Sequence, residues 1–420
     1  MSYKLTPHIP RWLLRRLAGP PSAAAPGRVY TFDAAVLYLD IVGFTALTEE
    51  MAAIGPRGVE VLGRVLDTVF GTLVSTISAF GGDVTDFGGD AITSLWVVGE
   101  ERPRAAVLRA CAAALNLRAL MGRLNRVETP SGPHPLAIRL GIGYGPAAAF
   151  ILGSEDQRLW TVAGPAMEGA VAAELAASPN QVRLHPSALE QVGAAVAADE
   201  DGNLISIHSL VRPRPPRRPP VDDVLVQPFV HTVVASREWS AAGEFIGEFR
   251  PVVPLFVRCD PPPTVDTDDP PAFGEWLNTW VQAAQSDVRR FDGWLSEVEI
   301  GDKGNVLLVQ FGTLSAHEDD ERRAVECALT LLETGRTLFP DMGLHVGITR
   351  GRLFEGTIGS PERHAHSLVG DEINLAARLM SLAQSGRVLI SGRVRQAVSR
   401  YFAFRDVGPV VVRGRRQPVP

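Results

Sequence analysis

An α+β fold built twice along one chain is what this sequence predicts, and three observations predict it. The chain repeats itself. LGIGYG (Leu140–Gly145) and LGSEDQRLWTVAG (Leu152–Gly164) are answered by VGITRG (Val346–Gly351) and IGSPERHAHSLVG (Ile358–Gly370), and 23 residues separate Gly141 from Gly164 and Gly347 from Gly370. Such self-similarity is the first thing to look for in a chain of this length. Each half also runs strand, helix, hairpin, helix, strand. Between the halves stands VRPRPPRRPP (Val211–Pro220), where proline excludes helix interiors and central strands and leaves an extended linker.

The elements follow in order. Arg-Trp-Leu-Leu-Arg-Arg-Leu near the start reads as a short amphipathic helix, expected to dock on the protein's own body, with a membrane surface as the alternative. AVLYL and PLFV are runs of strand formers. Arg57–Phe80 has helical apolar spacing, stopped by Gly81-Gly82. DVTDFGGDAITSLWVV predicts a hairpin around its Gly-Gly-Asp turn. Arg104–Leu124 and Glu321–Leu338 predict further helices, and IRLGIGYGPAAAFILG and LHVGITRGRLFEGTIG predict strands meeting at glycine. Across the repeat, Ala35–Phe44 sits opposite Val253–Pro262, and Phe87–Trp96 opposite Asp302–Phe311. The order matches a ferredoxin-like core. It divides the chain into an N-terminal segment (1–29), a first domain (30–200), a linker and ordered connector (201–249), a second domain (250–412) and a tail (413–420), with RDVGPVVVRGRRQPVP finishing a last strand.

Composition narrows the class. The chain has 420 residues, 45% of them apolar, and a formal charge of −6, so two ordinary cores are affordable and a basic nucleic-acid face is not expected. Three cysteines (Cys111, Cys259, Cys327) make no disulfide framework, which fits a reducing, cytoplasmic setting. No uncharged apolar run approaches 18 residues, so no membrane span is expected, and the start lacks a secretory signal. Of 41 basic residues only Lys4 and Lys303 are lysines.

Four polar residues stand at positions suited to chemistry. Asp40 closes an apolar strand and Asp90 sits at the hairpin turn after Gly88-Gly89. Carboxylates brought together at strand ends suit Mg²⁺, which takes one or two of them together with substrate phosphates. The loop-to-helix junction after Asp40 offers backbone N–H groups to phosphate. Asn374 and Arg378 in GDEINLAARLM are four apart, one turn apart on one helix face. Arginine's planar fork suits phosphate. Taken singly, the aspartates read as a helix cap and a turn residue, and the amide and guanidinium as a solvated face.

Taken together, LYLDIVGFT, the GG…FGGDAI hairpin and VGDEINLAARL resemble the class III nucleotidyl cyclases, and the tandem arrangement resembles their soluble adenylyl cyclase branch. The resemblance implies two cyclase homology domains packed as a pseudo-two-fold intramolecular heterodimer in a monomeric chain. It implies that Asp40, Asp90 and the Ile41 carbonyl hold two Mg²⁺ ions, with Mn²⁺ able to substitute. Gly43, Phe44 and Thr45 would cradle the phosphates of ATP, and Arg139 would add a basic phosphate contact. Asn374 would orient the ribose and Arg378 stabilise charge at the reacting phosphate. Lys303 and Ser367 would read the purine, with the Leu368 backbone touching it. Lys303 with a hydroxyl points to adenine, since guanine-selective members carry Glu and Cys there.

The halves differ in complementary ways. Arg258 stands opposite Asp40 and Asn305 opposite Asp90, while Glu168 stands opposite Asn374 and Ala172 opposite Arg378. One complete composite site and one degenerate site are therefore expected. In the soluble branch the degenerate site can take bicarbonate through a lysine and an arginine. Here those positions are Asp86 and Val171, and an acidic Asp86 would repel an anion. The functional expectation is ATP conversion to cyclic AMP and pyrophosphate, with regulatory regions of the kind found in relatives lying outside this chain. A catalytically weak nucleotide-binding regulatory module and a guanylyl cyclase are the alternatives.

Overall fold

The computed structural model describes residues 5–99, 102–124, 126–230, 247–301, 303–313 and 315–409. The first half comprises β1 (Val29–Val42), α2 (Phe44–Ile54), α3 (Pro56–Ala79), β2 (Asp83–Gly88), β3 (Ala91–Val97), α4 (Pro103–Met121), β4 (Arg126–Thr129), β5 (Gly132–Pro135), β6 (Ala137–Gly153), β7 (Arg158–Ala163), α5 (Pro165–Leu175), β8 (Val182–Leu184), α6 (Pro186–Val192), β9 (Val196–Ala198) and β10 (Leu204–Ile207), preceded by α1 (Arg11–Leu17). Its main sheet has the order β2-β3-β1-β6-β7, with β8 parallel to β6. After α7 (Asp223–Val226) come β11 (Gly247–Asp260), α8 (Pro270–Arg290), β12 (Trp294–Gly301), β13 (Gly304–Phe311), α9 (Asp320–Leu338), β14 (Gly343–Ile348), β15 (Gly351–Ser360), β16 (Arg363–Val369), α10 (Asp371–Leu382), β17 (Arg387–Ile390) and α11 (Gly392–Val398). The second sheet has the order β12-β13-β11-β14-β17, with β15 beside β11 and β16 beside β15.

Periodicity explains the faces. Along β1, Ala35, Leu37, Leu39 and Ile41 are buried toward the helices, which sends Tyr38 and Asp40 to the opposite face. Along α3, Leu62, Leu66, Val69, Phe70, Leu73 and Ile77 form one buried stripe. This helix (Arg57–Ala79) is long and apolar enough to cross a membrane, contrary to the expectation from uncharged runs alone, yet its stripe is spent on the core. The predicted stop is present: Gly81 adopts φ +89° and the Gly82 N–H donates to the Ile77 carbonyl.

The sequence repeat reappears as repeated packing. A Cβ on Gly141 would lie 2.0 Å from the Ala170 carbonyl oxygen, and one on Gly347 would lie 2.2 Å from that of Ala376. In both halves a helix backbone rests on the strand at the matching glycine. One expectation holds in one half only. The β6 strand runs unbroken from Ala137 to Gly153, whereas its counterpart breaks into β14 and β15 at Thr349–Arg350. Pro251 and Pro254 in β11 remove ladder donors beside that break.

Each half reaches into the other. Ala148, Phe150, Leu152 and Leu159 of β6–β7 belong to the second hydrophobic core, and Phe150 stacks edge-on against Phe273 at 5.7 Å. Phe354, Ile358 and Val369 of β15–β16 belong to the first. Polar clasps occupy matching positions: Gln157 Nε2 donates to the Leu295 carbonyl (2.7 Å), and Arg363 Nε donates to that of Val84 (2.9 Å).

The flanks are tied down. Trp12, Leu13, Leu14 and Leu17 of α1 are buried on the protein's own body, and Asp83 accepts from the Arg11 and Trp12 N–H groups at the helix start. The Val211–Pro220 linker has no regular secondary structure, as expected, but it is strapped to the first half. The Arg214 N–H donates to Ala79, and Arg218 donates to Thr6 and Ile9. Most of the predicted ordered connector, 231–246, lies outside the described residues. So do 410–420, including the predicted tail, and residues 402–409 form no strand.

The N-terminal segment meets the second half at His8, whose ring lies edge-on to His364 at 4.4 Å. Burial pushes both imidazoles down, His364 to about 4, with Arg363 adding to the effect. The unfolded chain therefore takes up these protons first, and stability falls as pH drops from about 6.5 toward 4. His364 alone is expected to remove about 2 kcal/mol between pH 7 and pH 5. Urea unfolding at both pH values should show a smaller pH difference for His364→Gln than for the parent.

Candidate active site

Antiparallel pairing brings the two sequence-predicted aspartates together. Asp40 lies opposite Ala91 on β3 and opposite Arg139 on β6. The Ile41 N–H donates to the Asp90 carbonyl at 3.1 Å, so the hairpin turn sits beside the end of β1. The Thr45 hydroxyl donates to Asp90 Oδ2 at 3.3 Å. Burial pushes the Asp90 carboxyl up to about 6, and the Asp40 charge adds to this. Its backbone N–H, Thr45 and the Lys303 ammonium act in the opposite sense. The Lys303 charge, at the tip of the second half's β12–β13 hairpin, is thus felt at the first half's Asp90.

Gly43 takes φ +93° and opens α2. The side chain of Phe44 is buried against Phe70, which leaves backbone as what this position can offer a ligand. Ser367 and Leu368 are buried on β16. The Leu368 side chain packs with Val252 and Leu353, consistent with a backbone role only. Asn374 and Arg378 share the half-buried face of α10, while Leu375, Ala376, Leu379 and Met380 hold the helix to its sheet. Helix α10 lies against α2, and the Glu49 charge is felt at Glu372. The amide–guanidinium helix of one half therefore packs against the helix that the glycine loop opens in the other.

Arg139 is held differently from the sequence reading. Its Nη2 lies 2.7 Å from Asp40 Oδ2 and its Nε 2.9 Å from Glu174 Oε1. Glu174, on α5, was missed; a carboxylate inside the apolar AVAAEL was the available signal. Burial raises it to about 7, with Arg139 acting against the rise and the Asp40 and Asp90 charges adding to it. Burial and the charges of Glu299, Asp40, Glu174 and Asp90 also hold the Tyr38 phenol protonated, so the charge of Glu299 on β12 is felt there too.

The site's donor set suits a hard divalent cation. Two adjacent carboxylates and the Ile41 carbonyl are oxygen donors, and a Mg²⁺ ion that keeps water and phosphate ligands needs no all-protein cage. Among the described residues no cluster of three or more His, Cys, Asp or Glu forms such a cage.

The register also locates the counterpart positions. Arg258 pairs with Val306 and His345 as Asp40 pairs with Ala91 and Arg139. Arg258 is ion-paired to Asp260 at 3.1 Å and lies 2.8 Å from His345 Nε2. Asp86 and Glu297 follow matching β-bulges in β2 and β12. Asp86 is exposed on β2, whereas partial burial and then the charges of Asp86 and Glu299 raise the half-buried Glu297 carboxyl.

These features define a class. Residues 271–419 match the adenylate and guanylate cyclase catalytic domain family, which places this part of the chain among the class III cyclase catalytic domains. Among particular relatives, it is 25% identical to human adenylate cyclase type 10 over 394 residues (83% of this chain, 24% of the relative). It is 23% identical to the rat protein of the same name over 93% of this chain and 26% of the relative. The chain thus spans about a quarter of these relatives' length. In fold it is similar to a class III adenylyl cyclase-like ATP-binding protein from Pseudomonas aeruginosa, with TM-score 0.62, 14% identity and 92% of each chain covered.

Glu174 is protonated more readily in the folded than in the unfolded chain, so its burial costs stability as pH rises from about 4.5 toward 7. Arg139→Met leaves that carboxylate uncompensated. A loss of about 2–4 kcal/mol at pH 8 is expected, with a smaller loss at pH 5. Adding Glu174→Met, the residue type at the matching position Met380, should recover most of it in urea titrations.

Proposed function

We propose that this chain is an adenylyl cyclase with one composite site. The observation that carries the reading is the contact of α10, bearing Asn374 and Arg378, with α2 beside the Asp40–Asp90 pair. The two halves form a pseudo-two-fold pair, domains 30–200 and 250–412, and their reciprocal arms support that arrangement.

In the proposed reaction the 3′-hydroxyl oxygen attacks the α-phosphorus in line. The bond from that phosphorus to the bridging oxygen breaks, pyrophosphate leaves, and the hydroxyl proton passes to water or substrate. Asp40, Asp90 and the Ile41 carbonyl would hold two Mg²⁺ ions, which when bound lower the hydroxyl's pKa and neutralise the triphosphate. Backbone N–H groups of Gly43, Phe44 and Thr45 at the start of α2 receive phosphate oxygens. Arg378 presents its fork to the charge that builds on the α-phosphate, and Asn374 orients the ribose. Lys303 and Ser367 read the purine, the ammonium serving as a compact donor to a ring nitrogen. Arg139, now on Asp40, is placed to transfer to phosphate while keeping Glu174.

The degenerate site is the place where Arg258, Asp260 and His345 neutralise one another. Bicarbonate binding there is disfavoured by the carboxyls of Asp86 and Glu297. A second reading, a nucleotide-binding module with little turnover, is favoured by the Arg139–Asp40 ion pair, an internal counter-ion that competes with metal. Chromatography of Mn²⁺/ATP incubations separates the two readings. Cyclic AMP supports the cyclase, and nucleotide protection without product supports the module.

Asp40→Ala and Asp90→Ala are each expected to lower cyclic AMP formation more than about 100-fold, equivalent to ~3 kcal/mol, with unchanged circular dichroism. With ATP and GTP at equal concentration, Lys303→Glu should lower the ATP preference by about tenfold, ~1.4 kcal/mol. An unchanged ratio would remove Lys303 from the purine pocket.

A further inference from the structure

We infer that His134 and Glu50 clamp the glycine loop from behind, making His134 a positioning residue for the nucleotide's polyphosphate. The inference rests on the reading of Gly43–Thr45 as a phosphate cradle.

The clamp is built from an excursion absent from the sequence reading, the β4–β5 hairpin between α4 and β6. Because β6 pairs with β1 as far as Val42 opposite Ala137, the hairpin's last residues are carried beside the end of β1. His134 Nε2 lies 3.0 Å from the Gly43 carbonyl oxygen, and Nδ1 lies 3.2 Å from Glu50 Oε2 on α2. The other Glu50 oxygen accepts from the Thr129 hydroxyl of β4 at 2.9 Å. One imidazole thus joins loop, helix and hairpin. Both of its partners are acceptors, and both are satisfied at once only when each ring nitrogen carries a hydrogen. Glu50 then supplies the counter-charge, and its carboxyl is held below its ordinary value, first by the Thr129 hydrogen bond.

Planarity transmits the constraint. The Gly43 carbonyl and the Phe44 N–H belong to one trans peptide, so fixing the oxygen fixes the direction of a cradle donor on the opposite edge. The same oxygen accepts from the Leu47 N–H, the first turn of α2. The hairpin also seals the back of the loop: a Cβ on Gly43 would lie 2.7 Å from the Pro135 carbonyl oxygen. The second half has no counterpart among the described residues. Only residues 339–342 separate α9 from β14, and the strand end there carries Arg258 in place of a metal-type carboxylate. Among the described residues the clamp stands only beside the cradle.

The test uses the full chain with His134→Ala, His134→Gln and Glu50→Gln. Hydrogen–deuterium exchange without nucleotide reads the loop, and KM and kcat for Mg²⁺-ATP, with binding of a fluorescent ATP analogue, read its use. His134→Ala is expected to speed exchange at residues 44–47 about tenfold and to raise KM about tenfold, the effect of one lost charge-assisted hydrogen bond, with kcat changing less than KM. His134→Gln, whose side-chain amide can donate to the Gly43 carbonyl, should recover most of both, and Glu50→Gln should fall between. Unchanged exchange in His134→Ala overturns the clamp, whatever the chain catalyses. Faster exchange with unaltered nucleotide affinity overturns the positioning role. A parent chain that neither binds nor turns over nucleotide overturns the cyclase reading and the positioning role together, while exchange still decides the clamp.

Discussion

Neither half of this molecule buries its own core alone. Phe150, Leu152 and Leu159 of the first sheet pack among Phe273, Leu277 and Val281, and Phe354 and Ile358 of the second pack among the residues of α3. Burying such side chains contributes roughly 1.5–3 kcal/mol each, so separating the halves would expose both ends of this exchange. The exchanged arms are also what hold α10 against α2. The alignment of the candidate site is therefore a by-product of core formation rather than of any bond within the site.

That alignment concentrates negative charge. The charges of Asp40, Asp90, Glu174 and Glu299 all act on Tyr38, with Arg139 ion-paired to Asp40 and Glu174 and the Lys303 charge felt at Asp90. The raised Asp90 and Glu174 show the strain: burial favours their neutral forms and the neighbouring carboxylates reinforce it. Arg139 bridges Asp40 and Glu174 and relieves part of the load. In the proposed function, metal and triphosphate complete the neutralisation that the protein leaves unfinished.

The matching strand positions of the second half show the alternative solution on the same scaffold. Arg258 occupies Asp40's register, Asp260 and His345 answer it, and Met380 takes the place of Glu174. The charges there are satisfied within the protein. The fold tolerates either arrangement because its core lies on the helix-facing side of each sheet, whereas these residues occupy the other face.

The sequence by itself determined the main element types, though not the β4–β5 hairpin, together with the duplication and the chemical groups on offer. Apolar spacing marks α3 and β1, and Gly141 and Gly347 mark places where a helix backbone leaves no room for a side chain. These signals are local, so they can be read without knowing what lies across the molecule. Tertiary structure decided which groups meet. The partners of Arg139, the strapping of the proline-rich linker and the His134 clamp all join residues distant in sequence. Residue type alone could not choose among partners there, because hydrogen bonds and ion pairs depend on ångström-scale distance and direction. Those are set by strand register and by the exchange of arms between the halves.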